Sequence, residues 1–285
     1  MFLAKYRVPH AAFAMQFDYN LQGIDRTIIA TPLTRDELEP VWAKYNIDSS
    51  RFTYVNDEVI YHRYPEVNNW VFDDDYRGWW LRQQAIKLAY LDYLNDDFML
   101  MHDPDTFMIK PYNPFVNQQL NMLTIPDTQH GSYQGVFEAV TGIPQPSKDC
   151  FVTELCAVYK MDFACLRHHI EQRFPKKKWL DAIIEAVPGM PTVPPWGDGN
   201  IIKWFSEYEL LGNWAMHRGG TTTQPQIRFE YNSLDDMAKF GPEHTAVCDA
   251  IPDLSRSFQI DWDTLEIPRF HERLSAVKQC IQSLT

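Results

Sequence analysis

Residues 79–105 read WWLRQQAIKLAYLDYLNDDFMLMHDPD, and the fold turns on how this stretch changes character along its length. From Trp79 to about Leu94 apolar residues recur at helical spacing, with Leu81, Ala85, Leu88 and then Leu91 or Asp92 at i, i+4, i+7 and beyond. Phe98-Met99-Leu100-Met101 is then an unbroken apolar run of strand length. Such runs are typical of strands covered on both faces by helices, as in a parallel sheet. The run ends on His102-Asp103-Pro104-Asp105. Ligands of open α/β sheets collect at the carboxyl ends of the strands, so the acidic pair falls where a site is expected.

The same alternation extends outward in both directions. Upstream, the patterns predict a strand over Phe2 to Tyr6, a helix over about His10 to Leu21 and a strand at Thr27 to Ala30. Thr34 with Glu37 three residues on predicts a capping box opening a helix to about Tyr45. A strand at Arg51 to Val55 and a loop over residues 56–78 follow. Downstream are a strand at Phe151 to Lys160, helices at Phe163 to Phe174 and Lys178 to Val187, and a Pro- and Gly-rich loop from Pro188 to Asn200. A helix at about Ile201 to His217, strands at Ile227 to Tyr231 and Ser257 to Trp262, and a last helix from about Pro268 complete the chain. This order predicts an α/β fold, a mostly parallel central sheet flanked by helices with a helical C-terminal part. At 285 residues one enlarged domain is the natural size.

Composition narrows the function. Hydrophobic residues are 45% of the chain and charged residues 22%, which suits a globular core. A formal charge of −12 disfavours nucleic acid as a partner, since phosphate backbones are held by basic surfaces. Nine Trp, 14 Tyr and 17 Phe fill a core and leave rings on which sugar faces can stack. The cysteines, Cys150, Cys156, Cys165, Cys248 and Cys280, are odd in number and lack a CxxC pair. They read as buried thiols in a reducing compartment, and with no apolar run approaching a membrane span the expected location is cytoplasmic. Lys176-Lys177-Lys178 and Asp73-Asp74-Asp75 read as solvated charges near helix starts.

Asp103 and Asp105 offer carboxylate oxygens from one turn. Hard cations such as Mn²⁺ or Mg²⁺ prefer these donors and keep positions open for phosphate oxygens, the chemistry of gripping a nucleoside diphosphate. Asp-x-Asp also makes ordinary turns, so the spacing alone leaves both readings open. On the later helix, Ser206, Glu209, Asn213 and His217 share a polar stripe, open to acceptor hydroxyls or to solvent.

The stretch from Gly78 to Pro111 resembles GT-A glycosyltransferases, in which a helix bearing Arg, Gln or Lys leads to a strand ending in Asp-x-Asp, then a short strand and Lys-Pro. It is most similar to a branch with a Trp-x-x-Gln-Gln-x-x-Lys-Leu helix and a later Ser-Glu-Tyr-Glu-Leu-x-Gly-Asn helix, here WLRQQAIKL from Trp80 and SEYELLGN from Ser206. Phe151-Val152-Thr153-Glu154 falls where that branch has a Phe-Val-Thr strand. Pro104 within the triplet and His102 before it depart from the pattern.

The resemblance implies a Rossmann-type GT-A-like domain over residues 1–285, residues 1–112 forming the nucleotide-sugar half and 113–285 the acceptor half with C-terminal helices. It implies a UDP- or GDP-linked sugar donor, a glycan or other acceptor, and Mn²⁺ or Mg²⁺ held by Asp103 and Asp105. His217 is the expected third ligand, with His244 and His271 as alternatives. Arg82, Gln83, Gln84, Lys87, Asp103, Thr153 and Glu154 are expected on the donor, and Glu209 as general base with Glu207 as its competitor. Two other classes stay open: a sugar nucleotidyltransferase, although residues 1–30 contain only Gly23 where a Gly-rich phosphate loop is needed, and a catalytically silent sugar-binding module.

Overall fold

The computed structural model describes residues 2–3, 21–44, 46–70, 76–103, 106–108, 110–125, 133, 135–153, 155–186, 205–225, 228–231 and 246–249, with isolated positions at 275, 278, 279 and 282. In chain order the strands are β1 Phe2–Leu3, β2 Thr27–Thr31, β3 Phe52–Asn56, β4 Phe98–His102, β5 Thr106–Met108, β6 Phe115–Val116, β7 Gln119–Thr124, β8 Leu155–Tyr159, β9 Thr221–Pro225, β10 Arg228–Tyr231 and β11 Ala246–Asp249. The helices are α1 Arg35–Lys44, α2 Asp57–Arg63, α3 Tyr76–Tyr93, α4 Val136–Thr141, α5 Lys160–Arg173, α6 Trp179–Ala186 and α7 Glu207–Arg218. The fold is α/β, and parallel pairing joins β1 to β2, β2 to β3, β7 to β9 and β10 to β11. The chain divides into two compact units, one of Met1–Asn56, His102–Pro114 and Gln226–Thr285, the other of Asp57–Met101 and Phe115–Pro225.

In the first unit, β2 stands between β1 and β3, and its Ile28, Ile29 and Ala30 are buried. The predicted capping box opens α1. The Thr34 N–H donates to the Glu37 carboxylate at 2.7 Å, and the Glu37 N–H returns to the Thr34 hydroxyl at 3.3 Å. Leu38 and Trp42, one turn apart on α1, are fully buried, and the Trp42 ring meets the Phe52 ring edge-on at 6.0 Å. A second small sheet pairs β11 with β10 and, antiparallel, with β5.

The second unit is richer in helix. Residues 56–78 are not the loop expected: α2 and a 3-10 segment, Pro65–Trp70, occupy much of this stretch. Ile60, Tyr64, Val67 and Trp70 are all buried, a helical stripe that Pro65 interrupts without erasing. Helix α3 also departs from the one-sided reading, because Ile86, Ala89 and Tyr90 are buried together with Leu81, Ala85, Leu88 and Leu91. It is covered nearly all round.

The carboxyl end of α3 is tied down by the first residue of α5. The Lys160 ammonium donates to the carbonyls of Leu91, Asp92 and Leu94 at 2.9, 2.6 and 2.6 Å, satisfying oxygens the helix itself leaves open. Desolvation lowers the pKa of this lysine, with the Asp92 carboxylate pulling the other way. Asp92 also accepts from the Tyr64 hydroxyl at 2.6 Å and pairs with Arg167 at 2.5 Å. Strand β4 pairs with β8, and β7 lies between β6 and β9.

Other boundaries shift by a few residues. The strand expected over Phe151 to Lys160 is confined to β8, and the helix expected from Ile201 begins within the described residues at Glu207, after its cap Ser206. The expected strand Ser257 to Trp262 and nearly all of the helix over about 10–21 lie outside the described residues. So does most of the helix from Pro268. Cys150, Cys156 and Cys165 are free thiols, the first two buried. Among the described residues no helix is long and apolar enough to cross a membrane.

Candidate functional site

The Ser-Glu-Tyr-Glu-Leu-Leu-Gly-Asn sequence forms the start of α7 in the second unit. Ser206 is the N-cap, its hydroxyl accepting from the Glu209 N–H at 3.3 Å. Every residue from Glu207 to Ala215 is buried. The solvated reading of the polar stripe is therefore corrected: Ser206, Glu209 and Asn213 lie inside the unit, and only His217 at its far end is exposed. Polar groups survive in such a place only when paired, and each of these is.

On α3, Gln84 and Lys87 are buried with them. The Lys87 ammonium reaches the Glu207 carboxylate at 2.7 Å and the Tyr208 hydroxyl at 3.0 Å, and the side chains of the ion pair are only 5% and 4% exposed. The Glu207 N–H, one of the open donors at the start of α7, is taken by the Gln84 side-chain amide oxygen at 3.1 Å. The other face of α7 grips a distant loop. Glu209 Oε1 accepts from the Phe151 N–H at 2.8 Å, while its Oε2 accepts from the Asn213 amide at 2.9 Å. Asn213 Oδ1 in turn accepts from the Ser147 N–H at 3.3 Å.

Gly212 completes the grip. A Cβ there would stand 2.2 Å from the Phe151 ring, far inside van der Waals contact. Gly212→Ala is expected to cost about 1–3 kcal/mol by overpacking, read as a lower urea midpoint at unchanged slope. An alanine variant as stable as the parent would mean that the ring yields freely.

Beneath these helices, the Cys156 thiol of β8 is pushed up by burial and then by the Glu207 carboxylate, against the opposing pull of Lys87. It stays protonated and is no nucleophile.

The Arg82 guanidinium donates to the Asn68 side chain at 3.0 Å and lies 4.7 Å from the centroid of the Tyr61 ring. Gln83 is half-buried. Thr153 is fully buried, its hydroxyl donating to the Leu155 carbonyl at 2.9 Å. Asp103 is half-buried and follows directly on β4, whereas Asp105 and Glu154 lie outside the described residues. His217 packs its ring 5.6 Å from Trp214 and 6.5 Å from Phe137. Among the described residues no three His, Cys, Asp or Glu side chains converge to hold a metal ion. Phe151 and Ser147, the backbone partners of Glu209 and Asn213, were not predicted from sequence. They are 58 and 66 residues away along the chain, a pairing no local pattern announces.

No protein-family model matches the chain, and no curated protein matches it. Among solved structures it is similar to the galactosyltransferase LgtC in complex with donor and acceptor sugar analogues, at 14% identity and a TM-score of 0.49, over 100% of this chain and 95% of that one. An active-site mutant of LgtC gives 14% identity and a TM-score of 0.48, over 97% and 94%. Likeness at this level assigns no residue of this chain a role.

Proposed function

We propose that this chain is a metal-dependent glycosyltransferase that moves a sugar from a nucleoside-diphosphate donor to a glycan or other acceptor. The observation that carries the reading is the position of Asp103, directly after the carboxyl end of β4, whose Met99, Leu100 and Met101 are buried. With Asp105 two residues on, it makes an oxygen donor set of the kind Mn²⁺ or Mg²⁺ accepts while leaving room for phosphate oxygens. When bound, such a cation supplies positive charge to the departing diphosphate. The protein groups then have to orient the donor and exclude water.

The Gln84 side-chain nitrogen is buried and has no hydrogen-bond partner among the described residues. Lys87, engaged by Glu207 and Tyr208, fixes α3 rather than reaching for the diphosphate. Glu154 stays in the reading as a donor-side carboxylate on the strength of its motif alone. A reducing cytosol suits the free thiols.

UDP or GDP is expected to raise the melting temperature only when Mn²⁺ or Mg²⁺ is present, because acidic pair and diphosphate otherwise repel. Nucleotide at about 100 times its Kd stabilises by roughly 2.7 kcal/mol. An equal shift in excess chelator would count against the acidic pair as a metal site.

A further inference from the structure

We infer that Glu209 is a positioning residue: its carboxylate, with Asn213, holds the backbone of the segment from Ser147 to Thr153 in place rather than acting on substrate. Both carboxylate oxygens are occupied inside the protein, one by the Phe151 N–H and the other by the Asn213 amide, and the side chain sits in a residue only 3% exposed. A general base needs an oxygen within hydrogen-bond reach of the acceptor proton. Here one oxygen faces the main chain and the other the Asn213 side chain.

The segment being held leads straight into Glu154 and β8, the strand that pairs with β4. It is anchored at Ser147 through Asn213, at Phe151 through Glu209, and by the Phe151 ring seated against Gly212. Inside the segment, the Thr153 N–H donates to the Phe151 carbonyl at 2.8 Å, and the Cys150 and Ile125 backbones exchange paired hydrogen bonds at 2.9 Å. Two side chains of one helix thus set the height at which the chain enters β8. The choice of Glu at 209 and Asn at 213 follows from polarity: the backbone N–H groups need acceptors, and the second carboxylate oxygen needs a donor one helical turn away.

The test exchanges that polarity. Glu209→Gln alone sets an amide NH₂ against the Asn213 NH₂, and Asn213→Asp alone sets two carboxylates together. Combining Glu209→Gln with Asn213→Asp restores a donor facing an acceptor between the two side chains, and residue 213 can still accept from the Ser147 N–H, but the bond from the Asn213 amide to the Glu209 carbonyl at 2.9 Å is lost. The readouts are melting temperature, amide exchange of Phe151, and kcat and KM for release of nucleoside diphosphate from UDP-glucose and GDP-mannose. Positioning predicts that each single variant melts lower and exchanges Phe151 faster. It predicts that kcat falls about 10-fold with KM little changed, and that the double variant recovers part of each loss relative to the single variants. A kcat loss on the order of 100-fold or more that the double variant fails to recover, with melting and exchange at parental values, identifies a general base and overturns the inference.

The kinetic arm rests on the glycosyl-transfer reading, whereas melting and exchange do not. If the parent protein releases no nucleotide, that reading is what suffers. Recovery of melting and Phe151 protection in the double variant still supports the positioning role, and failure of that recovery overturns it.

Discussion

Lys87→Met is expected to cost about 3–5 kcal/mol of stability, because it leaves the Glu207 carboxylate buried without its counter-charge. Both members of the pair are almost wholly shielded from water, so no solvent is at hand to take over the lost interaction. Set against a typical total of about 5–15 kcal/mol, this is at least about a fifth of what holds a domain folded. Combining Lys87→Met with Glu207→Leu should cost much less than the single change, since no charge is then stranded and the two helices meet through apolar contact. Denaturant titration of the two variants checks this. If Lys87→Met were as stable as the parent and lost only nucleotide affinity, Lys87 would belong to the donor site instead.

The parts of the fold that could be read from sequence are those whose causes are local. The capping box of α1 needs only Thr34 and Glu37, and β4 announces itself by four apolar residues in a row. Helix α3 was placed by its spacing, although its burial on nearly every side was not, since periodicity reports contrast between faces and this helix has little. Strand β9 is different. Thr221 to Pro225 has no apolar residue to alternate except its final Pro, and it becomes a strand by pairing in parallel with β7, where the buried Asn121 amide reaches Gln224 at 2.9 Å across 103 residues of chain. The polar face of α7 failed for the same reason. A helix carrying Glu, Asn and Ser on one stripe looks solvated until their partners are known, and Phe151 and Ser147 arrive from elsewhere in the chain. Asp103 could be singled out as a candidate because strand ends in α/β sheets expose their polar residues to ligands by geometry alone.

Asp105→Asn is expected to abolish most of the transfer activity while leaving the fold unchanged. The amide keeps the shape and one oxygen of the carboxylate but loses its charge, so the affinity for Mn²⁺ falls and the diphosphate leaves without electrostatic help. Loss of a charge-stabilising group in a site of this kind lowers turnover on the order of 100-fold or more. A polar residue just past a strand end contributes little to a core, so the melting curve should match the parent's to within a degree or two. Asp103→Asn is expected to follow the same pattern. The measurement that bears most directly on the account is Mn²⁺-dependent release of nucleoside diphosphate from UDP- and GDP-linked sugars by the parent and by Asp105→Asn, each paired with its melting curve. Release by the parent that vanishes with chelator and in the folded variant is the predicted result; release by Asp105→Asn at the parental rate would contradict it.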